Sequence, residues 1–289
     1  MQLAYLGPEG TFSEEAARAF AARHPQSEQI ELVPMKDIPD VLYAVDAGTY
    51  RWGVVPVENS IEGSVVVTLD FLVHEVDLKI VAEEVLPVRH ALLARPGVTL
   101  EMIQKVVSHP QALAQCRRTL NRLAPNAKLE VAQSTAEAAR QVAADPGPSA
   151  ALGTTLAGEL YGLQVLAHDV QDIAENMTRF LVVGREETPP SGVDKTSIVF
   201  AFEEDRPGNL HAALGAFASR SVNLTKLESR PAKRSLGDYI FFADMEGHQN
   251  DPTLAEALAE VREMCTFFRI LGSYPRTQIG VCNSGAAVR

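Results

Sequence analysis

The chain has 289 residues, more than one compact core usually holds, and its 46% hydrophobic and 22% charged residues are the composition of an ordinary soluble globular protein. A formal net charge of −11 makes nucleic acid and anionic membrane poor partners. No apolar run approaches the roughly 20 residues of a membrane span, and the start, Met1-Gln2-Leu3-Ala4, lacks the basic-then-apolar form of a signal peptide. Cys116, Cys265 and Cys282 are odd in number and far apart, which points to reduced thiols in a cytoplasm.

Gln2–Leu6 predicts a short strand, closed by the turn Gly7-Pro8-Glu9-Gly10 and followed by a helix over residues 13–23. A second strand is expected over 51–57, running into Glu58-Asn59-Ser60. Residues 105–107 predict another, followed by Ser108-His109-Pro110-Gln111 and a helix through Leu123. Residues 130–132 lead through Ser134-Thr135-Ala136-Glu137 into an alanine-rich helix. Strands alternating with helices predict an α/β unit of parallel sheets with helices on both faces. After the apolar run Phe180-Leu181-Val182-Val183, the stretch Glu186-Glu187-Thr188-Pro189-Pro190-Ser191-Gly192 has linker composition. Beyond it, strands over 196–202, 222–229, 238–245 and 268–271 and helices over 209–220 and 254–264 give β-α-β-β-α-β, the ferredoxin-like order. The tail after Arg276 is polar and small and is expected to be disordered.

Several strand-to-helix crossings carry helix-start chemistry. Thr11 with Glu14, Ser108 with Gln111 and Ser134 with Glu137 each fit a capping box. Singly, each is a good cap. Together, with hydroxyls and amides beyond the needs of capping, they favour a cleft for a carboxylate, because helix starts present free N–H groups to anions. Asn176-Met177-Thr178-Arg179-Phe180 adds a hydroxyl donor beside a guanidinium whose fork matches a carboxylate. The sequence has no Walker loop, Gly-x-Gly-x-x-Gly, Gly-x-Ser-x-Gly or His-Glu-x-x-His, and its seven histidines lack metal-ligand spacing. No cofactor and no metal are therefore expected. His109 is read as holding its loop, and His90 as packed rather than catalytic.

The ordered set Gly7-Pro8-Glu9-Gly10-Thr11-Phe12-Ser13, Pro56-Val57-Glu58-Asn59-Ser60-x-x-Gly63, Ser108-His109-Pro110-Gln111-Ala112-Leu113 and Asn176-x-Thr178-Arg179-Phe180 resembles prephenate dehydratase. The second unit resembles that family's regulatory ACT domain, with Glu228-Ser229-Arg230-Pro231 as its signature. The resemblance implies a two-lobed, periplasmic-binding-protein-like catalytic domain over 1–184, lobe one taking about 1–80 and 168–184 and lobe two about 81–167. A linker over 185–195, an ACT domain over 196–276 and a tail over 277–289 would follow. It also implies that the chain leaves the first lobe near 77–84 and returns near 168–178.

The implied reaction takes prephenate to phenylpyruvate, with loss of carbon dioxide and the ring hydroxyl, in phenylalanine biosynthesis. On this resemblance Thr178 is the donor to the departing hydroxyl, and Thr11, Ser13, Asn59, Ser60, Gln111 and Arg179 bind substrate, Arg179 on the pyruvyl carboxylate. Arg179 has a second reading, as a salt bridge at the strand edge. Glu58 is read as structural. Phenylalanine is the implied effector, held by Gly208, Asn209, Leu210, Glu228 and Ser229 between paired ACT units. One departure, Gly208-Asn209-Leu210-His211 at the ACT helix start, leaves main-chain N–H groups as the expected contacts. A homodimer or homotetramer is implied. Arogenate dehydratase and a non-enzymatic amino-acid sensor stand as the alternatives.

Overall fold

The computed structural model describes residues 1–24, 27–203, 206–232 and 239–277. Its chain clusters into two units: Met1–Lys79 with Leu86–Glu186, and Ile80–Val85 with the chain from Glu187 onward.

In the first unit the chain runs through β1 (Gln2–Leu6), α1 (Phe12–Arg23), β2 (Glu31–Met35), α2 (Ile38–Asp46), β3 (Trp52–Asn59), β4 (Gly63–Ser64) and α3 (Val66–His74). The strand β5 (Lys79–Pro87) follows, and its middle clusters with the second unit. Then come β6 (Ala91–Ala94), β7 (Lys105–Ser108), α4 (Pro110–Gln115), α5 (Arg117–Leu123), β8 (Lys128–Val131), α6 (Thr135–Ala144), β9 (Ser149–Gly153), α7 (Thr155–Tyr161), β10 (Gln164–Ala167) and β11 (Met177–Gly184).

These elements build two α/β lobes. In the first, strands lie in the order β2-β1-β3-β11, with β4 on the edge of β3. In the second the order is β10-β6-β9-β7-β8. Two segments join the lobes and pair with each other: the Val88 N–H donates to the Asn176 carbonyl at 2.8 Å, and the Val170 N–H to the His90 carbonyl at 3.0 Å. The exit lies later than residues 77–84, because β5 occupies that stretch and the second sheet begins only at Ala91.

The sheets are mixed, not purely parallel as the alternation predicted. β1 pairs parallel with both β2 and β3, but β11 pairs antiparallel with β3. The reason is chain direction: β11 returns from the other lobe and enters its sheet from the opposite end. In the second sheet β6 is antiparallel to β9, while β7 is parallel to β8 and β9. β6 shows how this sheet is covered on both faces. Its alternate residues Leu92 and Ala94 join a core with Leu113 of α4, Leu120 of α5 and Cys116 between those helices, and Ala91 and Leu93 join another with Ala138, Ala139 and Val142 of α6.

The expected single helix through Leu123 is two. It breaks at Cys116 because Asp172, on the returning segment, accepts from the Arg118 and Thr119 N–H groups (2.8 and 2.9 Å) and caps a new helix start.

The second unit carries β12 (Asp194–Ala201), α8 (Asn209–Ala218), β13 (Leu224–Pro231), β14 (Tyr239–Glu246), α9 (Pro252–Met264) and β15 (Phe267–Pro275), the expected β-α-β-β-α-β order. Its sheet runs β13-β14-β12-β15, and Ile198, Phe200, Ala243 and Met245 pack with Phe217, Leu258 and Val261 from the two helices. Asp238, where the third of these strands was expected to begin, lies outside the described residues, as do residues 278–289 of the tail and its Cys282.

Candidate active site

Between the lobes of the first unit lies a cleft of about 480 Å³. From the first lobe it is lined by Gly7, Pro8, Thr11, Phe12, Ser13, Lys36, Asn59 and Thr178. The crossing segment adds Val88 and His90, and the second lobe adds His109, Gln111, Gln115, Gln133, Ser134, Thr135 and Glu137.

Thr178 stands one residue into β11, opposite Asn59 at the end of β3. The Asn59 side-chain oxygen accepts from the Ile61 and Glu62 main-chain N–H groups at 3.0 and 3.1 Å. Those groups only donate, so the asparagine amide is pinned with its NH₂ toward the strand, where it donates to Thr178 Oγ1 at 2.9 Å and to the Met177 carbonyl at 3.3 Å. Thr178 Oγ1 therefore acts as an acceptor toward Asn59. Its own proton has no protein acceptor among the described residues and is left for the cleft. Asn59 is 9% exposed, which protects this arrangement from competing water.

The helix α1 contributes its start. Thr11 is its N-cap, accepting from the Glu14 N–H at 3.4 Å and donating toward the Pro8 and Leu6 carbonyls at 3.0 and 3.2 Å. The hydroxyl of Thr11 is thus engaged in shaping the loop. The Ser13 hydroxyl, two residues on in the first turn, has no side-chain partner among the described residues, and the N–H groups of Phe12 and Ser13 precede the helix's own bonding. Glu14 completes the cap from inside: its carboxylate takes the Gly10 N–H at 2.5 Å and the Arg18 guanidinium at 2.6 and 2.8 Å.

From the second lobe, Ser134 caps α6 by accepting from the Glu137 N–H at 3.0 Å. The Glu137 carboxylate does not return to the cap. It forks onto Arg140 and Gln141, whose hydrogen bonds hold its carboxyl below the usual range. The α4 cap differs from expectation. Ser108 is fully buried and donates to the Leu152 carbonyl at 2.8 Å, while His109 Nδ1 accepts from the Gln111 N–H at 3.3 Å. His109 is the cap, and this bond assigns its proton to Nε2. His90, 3% exposed, packs edge-on against Phe12 at 5.4 Å, and burial lowers its pKa, so it lines the cleft as a neutral ring.

Two of the residues expected in the site stand elsewhere. Ser60 is exposed; its hydroxyl donates to Asn176 Oδ1 at 3.2 Å and accepts from the Met177 N–H at 2.9 Å, fastening the start of β11. Arg179 follows Thr178 in a strand, so its side chain takes the opposite face, where it lies 3.8 Å from Glu58, its register partner. Asn176 holds the junction of the lobes: it is 1% exposed and also donates to Gln115 Oε1 at 3.3 Å. Lys36 was not singled out from the sequence, where a lone lysine before the α2 cap Asp37 belongs to no pattern.

In the second unit, Gly208 is the N-cap of α8 at φ +97°, a conformation that favours glycine, and the Asn209 N–H is taken by the Arg206 carbonyl at 3.2 Å. Glu228 and Ser229 alternate on β13. Glu228 is half-buried between Lys226 (3.3 Å) and Arg230 (3.8 Å), and Ser229 is exposed. Among the described residues no His, Cys, Asp and Glu cluster is placed to hold a metal, and no helix is long and apolar enough to cross a membrane.

A family model described as prephenate dehydratase matches residues 3–188, and one described as ACT domain matches residues 197–263. Prephenate dehydratase of Amycolatopsis methanolica is 44% identical over 279 residues, covering 95% of this chain and 88% of the relative. The structure of prephenate dehydratase from Arthrobacter aurescens, solved in complex with L-Phe, matches with a TM-score of 0.86 at 38% identity, over 96% of this chain and 90% of that one. GqqA, described as a quorum-quenching acylase, matches with a TM-score of 0.85 at 33% identity, over 96% and 98% of the two chains.

Proposed function

The chain belongs to the prephenate dehydratase family, and we propose that its interlobe cleft holds prephenate with Thr178 as the donor to the departing ring hydroxyl. In this reaction the electron pair of the bond to the ring carboxylate moves into the ring as carbon dioxide leaves. The pair of the ring C–O bond departs with the hydroxyl. Aromatisation supplies the driving force, so the protein has to stabilise the leaving oxygen and strip water from the departing carboxylate. A threonine is far too weak an acid for full transfer at rest; it donates a hydrogen bond that strengthens as the C–O bond breaks. The observation that carries this reading is the pinned Asn59 amide, which at 2.9 Å makes Thr178 an acceptor and so frees its proton to point away from the protein.

Ser13, the opening N–H groups of α1 and Gln111 from the far lobe bind substrate oxygens in this reading, and Thr11 acts through the loop it shapes. Ser60 and Arg179 support the site from outside it, by fastening β11 and pairing with Glu58. The acylase chemistry of the GqqA relative calls for a nucleophile beside a base. Thr178 has an amide beside it instead, which favours dehydration here. Arogenate shares the ring chemistry, and rates on the two substrates separate those readings.

The ACT unit is the regulatory half. The L-Phe held by the Arthrobacter relative supports phenylalanine as effector, received by the Gly208–Leu210 turn and by Glu228 and Ser229. β13 is an outer strand of its sheet, which supports edge-to-edge pairing of two copies and hence a homodimer or homotetramer. A biosynthetic role and the unbridged Cys116 and Cys265 support a cytoplasmic setting.

The test is ultraviolet detection of phenylpyruvate from prephenate. The wild-type chain is expected to turn over, and Thr178→Ala to lose roughly 10²–10⁴ in kcat with an unchanged circular dichroism spectrum. Wild-type turnover in that variant would remove Thr178 from the mechanism.

A further inference from the structure

We infer that Lys36 receives the side-chain carboxylate of the substrate and selects an anionic keto-acid side chain over a zwitterionic amino-acid one. This rests on the reading of the cleft as a dehydratase site. The chain carries a formal charge of −11, so a dianionic substrate needs local positive charge to enter. Lys36 is the only lysine or arginine among the described residues lining the cleft, since Arg179 takes the opposite face of β11. It is exposed, and no ion-pair partner for it exists among the described residues. The cleft's own carboxylate, Glu137, does not compete for it, being forked onto Arg140 at 2.8 and 2.9 Å.

The backbone on both sides of Lys36 is anchored while the side chain is not. The Gly7 N–H donates to the Met35 carbonyl at 2.9 Å, tying the preceding residue to the glycine turn that leads into Thr11 and Ser13. The following residue, Asp37, accepts from the Asp40 N–H at 2.9 Å as the cap of α2. The ammonium is therefore held at the rim of the site with a long, unspent reach.

The chemistry decides which carboxylate it serves. A cation held on the ring carboxylate would stabilise the ground state that must lose carbon dioxide and would slow the reaction. The carboxylate that survives is the one a lysine can hold without that cost. An amino-acid side chain bears an ammonium on the carbon next to that carboxylate, so it brings a like charge toward Lys36; a keto acid does not.

Lys36→Met keeps length and removes charge, and Lys36→Arg keeps charge. On prephenate, Lys36→Met is expected to lose roughly ten- to hundredfold in kcat/KM, the worth of one charge-assisted hydrogen bond, mainly through KM. Lys36→Arg retains most of the wild-type value. The preference for prephenate over arogenate narrows in Lys36→Met, with arogenate assayed as a competitor if it is not turned over. The rise of KM with salt flattens in the same variant. A folded Lys36→Met enzyme with wild-type kcat/KM on prephenate, or with equal losses on both substrates, overturns the inference. A wild-type chain inactive on both substrates overturns the dehydratase reading instead.

Discussion

Thr178 and Asn59 act as one unit, and their roles are separable by a substitution that changes almost no volume. Asn59→Asp keeps the oxygen that accepts from Ile61 and Glu62 but replaces the NH₂ that donates to Thr178 at 2.9 Å. The threonine would then donate to the new carboxylate and lose its proton to the protein. We expect kcat to fall by roughly 10²–10⁴, comparable to Thr178→Ala, with little change in melting temperature, as steady-state assays and thermal melts will check. Thr178→Ser retains partial activity, because the hydroxyl survives while the β-branch that restricts its rotamer is lost. Thr178, Asn59, Ser13 and Gln111, all legible in the sequence as polar groups at strand ends and helix starts, line the cleft. Arg179, for which the sequence offers both a substrate contact and a salt bridge at the strand edge, stands 3.8 Å from Glu58, its register partner. Two consecutive residues of a strand face opposite sides, so Thr178 and Arg179 cannot both look into one cleft.

Helix starts are the elements from which the cleft is built, and they were legible because Ser, Thr and Asn before an apolar pattern have few other uses. Which side chain does the capping was less legible. Ser108 fits the pattern, but its place at the end of β7 buries it against the β9 carbonyl of Leu152, and His109 takes over. Gly10, at the approach to α1, is set by tertiary contact. It has φ +85°, and a Cβ there would stand 3.0 Å from the Cβ of Ala157 on α7, while its carbonyl accepts from Thr154 of the other lobe at 2.8 Å. Gly10→Ala is therefore expected to cost about 1–3 kcal/mol, read as a lowered melting temperature, and to raise KM as the lobes are pushed apart.

At the scale of the molecule, the regulatory reading requires that phenylalanine bind one arrangement of the chain better than another. Titrating phenylalanine into the assay is expected to lower the rate, and light scattering on the same samples to report tighter assembly. An unchanged rate across the titration would refute effector control while leaving the catalytic reading intact. The division of the chain bears on this, because β5 belongs to both units: Ile80–Val85 cluster with the second, and Leu86–Pro87 return to the first just before Val88 and His90 line the cleft. Within the second unit Glu83 is 1% exposed and bound by both oxygens to the half-buried Lys195 at 2.8 Å, a pair that holds this strand in place.

The sequence by itself determined the family, the two α/β lobes' helix starts and the β-α-β-β-α-β order of the second unit, because strand and helix periodicities and capping residues act over a few neighbours. Tertiary structure alone decided which hydroxyls are spent on the protein and which remain for a ligand. Thr11 and Ser60 share a residue type with Thr178 and Ser13, yet the first two are consumed by loop carbonyls and by Asn176. It also decided that Lys36 stands in the cleft, since that depends on the register of β1 against β2 and on where the returning strand closes the sheet. Pairing between residues more than a hundred positions apart leaves no local pattern to read.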